Sequence, residues 1–139
     1  MEPLNYQGLI PQADPFVLVD KLIEYNEIKV VSTFVVPEQH YLVSSGTLTA
    51  YGLMENMAQT AAMRSGYESK IKGEAPPIGF IGSIEQGKIV HLPTVGSELV
   101  TTLQLQTKIM NVLVVTAEVK LEDEIQASCK MKIVIMDQL

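Results

Sequence analysis

Residues 49–65, TAYGLMENMAQTAAMRS, decide the fold of this chain. The stretch contains no proline and is rich in Ala, Met and Leu, which are strong helix formers. Its apolar residues recur at helical spacing in two adjacent rows, Leu53, Met57, Ala61 and Met54, Ala58, Ala62. A helix that is apolar over so wide an arc is normally buried on several sides. The stretch therefore predicts a helix at the centre of the molecule.

The sequence on both sides of this helix is typical of β-strands. Residues 16–24 and 28–36 are β-branched runs separated by a short polar stretch, which predicts two strands joined by a turn. Residues 67–77 are polar and end in two prolines, which predicts a surface connection. The second half alternates apolar and polar residues, and Asp123 marks a hairpin between its last two strands. We therefore predict three or four strands after the helix.

An antiparallel sheet with one apolar face can wrap around a single apolar helix. This arrangement buries the apolar face of the sheet and the helix together. The sequence thus predicts an α+β fold with the helix as its core. The chain has 139 residues, about the length of one average domain, so we expect residues 1–139 to form a single domain.

The composition disfavours several classes of function. The net charge of −6 argues against binding to the phosphate backbone of nucleic acid. The only cysteine, Cys129, cannot form an internal disulfide, and the first residues lack the features of a signal peptide. No apolar run approaches the roughly 18 residues that cross a bilayer. We therefore expect a cytoplasmic protein that binds neither nucleic acid nor a membrane.

Sites for a metal or a nucleotide are also not expected. Two distant histidines and one cysteine make no metal cluster. Gly79, Gly82 and Gly87 lack the spacing of a dinucleotide-binding loop. Ser44 and Ser45 do not lie in the Gly-x-Ser-x-Gly motif of a serine nucleophile. We therefore expect no metal and no bound cofactor.

Glu55 is the residue most expected to carry chemistry. Met54, Met57 and Ala58 surround it on the apolar helix, where a carboxylate is costly without a partner or a function. The alternative is a glutamate in the first turns that faces solvent and is stabilised by the helix dipole. Gln59 lies one turn further on the same face, so we expect it to orient the Glu55 carboxyl group or to bond to the backbone.

Three segments resemble the β-hydroxyacyl-acyl carrier protein dehydratases. Residues 9–20, LIPQADPFVLVD, resemble the family's opening Leu-x-Pro-x-x-x-Pro-Phe-x-Leu-Val-Asp. Residues 55–62, ENMAQTAA, resemble its helix motif Glu-Ala-Met-Ala-Gln-Ala-Ala. Residues 79–84, GFIGSI, through 92–99, LPTVGSEL, are similar to the strand that ends in the family's Pro-x-x-x-Gly-Asp turn.

The resemblance implies a hot-dog fold, in which two protomers join their sheets edge to edge. It also implies a tunnel at the dimer interface for an acyl chain on a phosphopantetheine arm of acyl carrier protein or coenzyme A. In that family a His of one subunit and an acidic residue on the helix of the other remove water from a 3-hydroxyacyl thioester. The matching residues here are His40, as base, and Glu55, as acid.

The sequence departs from the family around the histidine. Residues 39–42, QHYL, stand in place of Gly-His-Phe-Pro, and residues 48–50, LTA, in place of the Met-Pro-Gly before the helix. The chain is thus closer to a divergent branch, some members of which accompany aryl-polyene or related pigment pathways. A hot-dog thioesterase using Glu55 without His40 and a non-catalytic acyl-binding subunit remain alternatives, in a homodimer, a larger homo-oligomer or a heterodimer.

Dehydration also needs a donor that polarises the thioester carbonyl. We expect the backbone N–H groups of Gly52 and Leu53 to serve, because donors at a helix start are unpaired and the helix dipole favours negative charge there. His91 lies in a predicted strand and is expected to be structural. Basic side chains that could receive an acidic carrier protein are Arg64, Lys70, Lys72 and Lys88, although scattered surface charges explain them equally well.

Overall fold

The computed structural model describes residues 1–136 and consists of one long helix packed against an antiparallel sheet. The helix α1 spans Ala50–Lys72. The strands of the sheet are β1 Leu4–Asn5, β2 Lys21–Tyr25, β3 Lys29–Val35, β6 Ile78–Ile89, β7 Glu98–Ile109, β8 Val112–Leu121 and β9 Glu124–Met136. They lie in the order β1-β2-β3-β7-β8-β9-β6. A separate small hairpin, β4 Val43–Ser44 and β5 Thr47–Leu48, precedes the helix. The predicted α+β architecture is confirmed.

The core lies between α1 and the sheet. Leu53 and Met57 on α1 are fully buried. The buried residues of the sheet include Val30, Leu103, Val115, Ala117 and Met131. Cys129 joins this core with its Sγ atom 3.7 Å from Sδ of Met57. Burial raises the pKa of the Cys129 thiol to about 11, so the thiol stays protonated near neutral pH.

The helix α1 is longer than the sequence indicated. A surface connection was predicted over residues 67–77, but the helix continues to Lys72. Glu68 pairs with Arg64 at 3.5 Å and with Lys72 at 3.0 Å, each one turn away on the same helix face. Gly73 then ends the helix in the left-handed conformation, with φ of 67°. The first part of the predicted connection is therefore wrong.

The first predicted strand is shorter in the structure. Residues 16–24 were predicted to form it, but β2 begins only at Lys21. The backbone of residues 16–18 bonds to side chains of α1 instead of to a neighbouring strand. The prediction is wrong there because polar helix side chains satisfy the backbone groups that a ladder would use. The second predicted strand, the four strands after the helix and the turn at Asp123 are confirmed.

The segment before α1 contains a tight turn. Ser45 and Gly46 both have positive φ, of 54° and 76°, and connect β4 to β5. The side chain that caps the helix belongs to Thr49. His91 was expected in a strand, but it is exposed and lies beyond Ile89, where the pairing of β6 with β9 ends.

Gly66 marks a close approach between α1 and the N-terminal segment. A Cβ atom at this position would overlap the backbone carbonyl of Leu9. We therefore expect Gly66→Ala to lower the free energy of unfolding by about 2–3 kcal/mol, although Ala is the better helix former. Urea denaturation measures the change. The neighbouring Ser65→Ala should change stability by only about 0.5 kcal/mol, and an equally stable Gly66→Ala protein would contradict this close contact.

Candidate active site

Glu55 lies on the second turn of α1 and is half-buried. Its Oε2 atom lies 3.4 Å from Nε2 of Gln59, one turn further along the same face. The Gln59 amide also bonds to the backbone, since Oε1 accepts from the Leu18 N–H at 2.7 Å and Nε2 donates to the Phe16 carbonyl at 2.9 Å. Gln59 therefore contacts the Glu55 carboxyl group and the backbone together, so both of the predicted contacts are present.

Residues 16–18 form the linking segment between α1 and the histidine. Besides the contacts to Gln59, the Leu18 carbonyl accepts a hydrogen bond of 2.7 Å from Nδ2 of Asn56. The Val17 carbonyl lies 3.2 Å from Nε2 of His40. The linking segment thus bonds to His40 at one residue and to the helix side chains Asn56 and Gln59 at the residues on either side.

Backbone groups occupy both ring nitrogens of His40. The Leu42 N–H donates to Nδ1 at 3.1 Å. The neutral ring must therefore carry its proton on Nε2 and donate it to the Val17 carbonyl. The ring also stacks on Tyr41, with centroids 4.7 Å apart. His40 is consequently held in one tautomer, whose only lone pair is already accepting a hydrogen bond.

The start of α1 is closed by its own cap. Oγ1 of Thr49 accepts from the Gly52 N–H at 3.2 Å, and the Thr49 carbonyl accepts from the Leu53 N–H at 3.0 Å. Neither N–H group is free in this arrangement, so the structure does not support their predicted role at a thioester carbonyl. Oγ1 of Thr49 also donates to the Leu42 carbonyl at 2.8 Å, which ties the His40 loop to the helix cap.

An apolar cavity of about 820 Å³ lies beside the helix face that carries Glu55. It begins at Ala58, one turn beyond Glu55. Small residues of α1 make room for it on one side, and apolar residues of β6 lie opposite. The helix contributes Ala58, Ala61, Ala62, Ser65 and Gly66, and β6 contributes Ile78, Phe80 and Ile81. The volume and lining suit an extended hydrocarbon chain.

The strand β6 forms one edge of the sheet and is exposed along its length. It pairs with β9 on one side only. Its exposed apolar residues are Ile78, Phe80, Ile81, Ile84 and Ile89. A long apolar edge strand with unpaired backbone groups is a template for pairing with another chain.

The predicted basic patch is partly neutralised. Glu68 binds both Arg64 and Lys72 and also accepts from the Tyr25 hydroxyl at 3.3 Å. Partial burial acts to raise the Glu68 pKa, but the hydrogen bond from Lys72 and the charge of Arg64 outweigh it and lower the pKa. Two of the four candidate cations are therefore engaged within the chain.

The described residues contain neither a candidate metal site nor a candidate membrane-spanning helix. No three His, Cys, Asp or Glu side chains among residues 1–136 are grouped so that they could hold a metal ion. In the same part of the chain, no helix has the length and apolar character needed to cross a membrane.

Neither the linking segment nor the contacts of Asn56 could be recognised directly from the sequence. The one available signal was a polar residue at position 56, where the helix motif quoted above has Ala. Asn56 is fully buried, and its Oδ1 atom accepts a hydrogen bond of 2.6 Å from Oγ1 of Thr101. Its importance depends on contacts with residues far away in the chain.

Comparison with known proteins bears on the family and the fold. The family model of ApeP-like proteins, described as ApeP dehydratase, matches residues 4–139. The structure resembles the dehydratase heterocomplex ApeI:P from Xenorhabdus doucetiae, with 20% identity, a TM-score of 0.86 and coverage of 97% of this chain and 93% of that chain. No curated protein matches the chain.

Two other solved structures share the fold at lower similarity. The PaaI protein of the E. coli phenylacetic acid degradation operon is 17% identical with a TM-score of 0.63, covering 81% of this chain and 80% of that chain. A hypothetical thioesterase from Streptococcus pneumoniae, solved with coenzyme A, is 11% identical with a TM-score of 0.68, covering 84% of this chain and 85% of that chain. Together these likenesses confirm the predicted hot-dog fold.

Proposed function

Because this chain belongs to the ApeP-like family of dehydratases, we propose that it removes water from 3-hydroxyacyl thioesters carried on the phosphopantetheine arm of acyl carrier protein. One observation carries the proposal. The half-buried Glu55 carboxyl group is contacted by Gln59 and stands one helical turn before an apolar cavity of about 820 Å³. This arrangement offers a proton donor beside room for an acyl chain.

In the proposed reaction His40 is the base and Glu55 is the acid. His40 takes the proton from C2 of the substrate, and the electron pair of that C–H bond forms the C2–C3 double bond. The C3–O bond breaks, and Glu55 gives its proton to the departing hydroxyl group, which leaves as water. Transfer of the proton from His40 back to Glu55 through solvent resets the site. No separate cofactor takes part.

The hydrogen bonds of His40 place a condition on this reaction. The lone pair of the neutral ring is on Nδ1, where it accepts from the Leu42 N–H. The Leu42 N–H must therefore release Nδ1 when substrate binds. Leu42 belongs to the loop that the Thr49 hydroxyl ties to the start of α1, so this release would also loosen the helix cap.

A second function is favoured by the same hydrogen bonds. If His40 stays bound to Val17 and Leu42, this chain contributes the fold, the cavity and Glu55 but no base. A second hot-dog subunit would then supply the base in a heterodimer. The similar ApeI:P structure is a heterocomplex. In either case the free edge of β6 is the proposed surface for the partner protomer, and the cytoplasm is the proposed compartment.

Mass spectrometry of a defined substrate tests these proposals. The purified protein, alone and together with a copurified hot-dog partner, is incubated with 3-hydroxyacyl-acyl carrier protein. Formation of the enoyl product by the protein alone supports the first function, and formation only with the partner supports the second. Release of the free carrier thiol would instead indicate a thioesterase. Unchanged substrate under all these conditions would exclude dehydration.

The cavity should limit the length of the acyl chain. Ala62 lines it two turns beyond Glu55 on the same helix face. We expect Ala62→Phe to lower kcat/KM for a medium-chain 3-hydroxyacyl thioester by about 10- to 100-fold, while the 3-hydroxybutyryl thioester is little affected. Ala75→Phe, at an exposed position outside this cavity, is the matched control. An equal loss of kcat/KM for both substrates would show that the acyl chain lies outside this cavity.

A further inference from the structure

We propose that Asn56 is a positioning residue, which fixes the His40 ring by holding the linking segment in place. The catalytic consequence rests on the proposed function, but the effect on the ring exists in the free protein. Asn56 is fully buried on α1, next to Glu55 in the chain and on the side of the helix that faces the linking segment.

The Asn56 amide is fixed by contacts at both of its ends. Its Oδ1 atom accepts from Oγ1 of Thr101 at 2.6 Å, and Nδ2 donates to the Leu18 carbonyl at 2.7 Å, which can only accept a hydrogen bond. The backbone carbonyl of Asn56 accepts from Thr60 at 2.8 Å, and the Thr60 hydroxyl lies 2.7 Å from Oγ of Ser32. These groups are buried, and each has a partner, so the amide is held in one orientation.

Two helix side chains hold Leu18 from both sides of its peptide unit. Gln59 accepts from the Leu18 N–H, and Asn56 donates to the Leu18 carbonyl, each at 2.7 Å. In an extended backbone, successive carbonyl groups alternate in direction. Since the carbonyls of Phe16 and Leu18 both face α1, the Val17 carbonyl between them faces away, toward Nε2 of His40.

The Val17 carbonyl and the Leu42 N–H together decide which nitrogen of His40 carries the proton. With this acceptor in place, the neutral ring is held as the Nε2–H tautomer, and the lone pair stays on Nδ1. Without the Asn56 amide, the Leu18 carbonyl loses its partner and the linking segment gains freedom. The ring then loses its fixed acceptor and can turn away from the Leu42 N–H as well, so the two tautomers become mixed.

Nitrogen NMR of the imidazole rings in the free protein tests the proposal. The chain has two histidines, and His91→Gln assigns the remaining signals to His40. We expect a single Nε2–H tautomer in the wild-type protein and a mixture in Asn56→Ala. Thr101→Val is the matched control, because it removes a buried partner of Asn56 but leaves the bond to Leu18. Its His40 signals should resemble those of the wild type.

A double variant separates positioning from stability. Asn56→Ala leaves the Thr101 hydroxyl without its acceptor, which destabilises the core. Asn56→Ala with Thr101→Val removes both groups of this bond, so it should regain part of the lost stability but keep the mixed tautomers. A pure Nε2–H tautomer in Asn56→Ala or in the double variant would overturn the proposal.

Turnover gives an independent readout. If the chain is a dehydratase, the double variant should lower kcat by about 10- to 100-fold with little change in KM, because the base is misplaced while the cavity is intact. Absence of dehydration in the wild-type protein would contradict the proposed function and leave the NMR result standing. An unchanged kcat with mixed tautomers would show that the positioning does not serve catalysis.

Discussion

Replacing Glu55 with Gln should lower kcat for dehydration by about 10²- to 10⁴-fold, because an amide cannot give a proton to the departing hydroxyl group. The substitution keeps the size of the side chain, and its amide oxygen can still accept from Nε2 of Gln59. We therefore expect the free energy of unfolding to change by less than about 1 kcal/mol. Initial rates with 3-hydroxyacyl-acyl carrier protein and urea denaturation measure the two effects.

Two further variants are compared with Glu55→Gln, one as a control for the loss of a carboxyl group and one as a test of the base. Glu38→Gln removes a carboxyl group from an exposed position two residues before His40, and it should leave the rate unchanged. His40→Ala should cause a loss similar to that of Glu55→Gln if His40 is the base. An unaffected His40→Ala protein, assayed with its hot-dog partner, would support a base from that different subunit. A Glu55→Gln protein with the wild-type rate would refute the role of Glu55 in both proposed functions.

Placing a charge in the middle of β6 should weaken association between protomers. Ile84 is exposed on the free edge strand, opposite the buried Met131 of β9. If two edges pair, Ile84→Lys buries an unpaired ammonium group, at a cost of several kcal/mol. We therefore expect the dissociation constant to rise by about 10²- to 10³-fold. Sedimentation velocity across a range of protein concentrations measures the change.

A control with the same substitution tests whether the effect belongs to β6. Ile109 is also an exposed isoleucine, with 62% of its surface accessible, but it lies at the far end of β7. Ile109→Lys should leave the oligomeric state unchanged. If Ile84→Lys associates as tightly as the wild-type protein, β6 is not the contact surface.

The central helix and most of the strands could be predicted because their signals are local. Apolar residues at helical spacing identified α1, and alternation identified the strands of the second half. The end of α1 was missed, since it depends on the short-range pairs of Glu68 and on the left-handed Gly73 within a polar stretch. Polar composition alone does not separate an exposed last turn from a loop.

The hydrogen-bond network of the candidate site could not be predicted, because it joins residues that are far apart in the sequence. Asn56 reaches Leu18 across 38 positions, and His40 reaches Val17 across 23 positions. Glu55 was recognisable as an unusual charge on an apolar helix, and Gln59 as its neighbour one turn away. That the ring nitrogens of His40 are both occupied depends on the folded loop and has no signature in the sequence.

The two borders of the sheet are unequal, and this limits how far assembly can proceed. One border is β6, with 12 residues, and the other is β1, with 2 residues. Once two long borders have met, only short ones remain at the ends of the joined sheet, and these offer too few backbone groups to recruit another copy. Pairing through β6 can therefore join only two protomers. Association through this apolar strand stops at a pair and cannot lead to an open-ended filament.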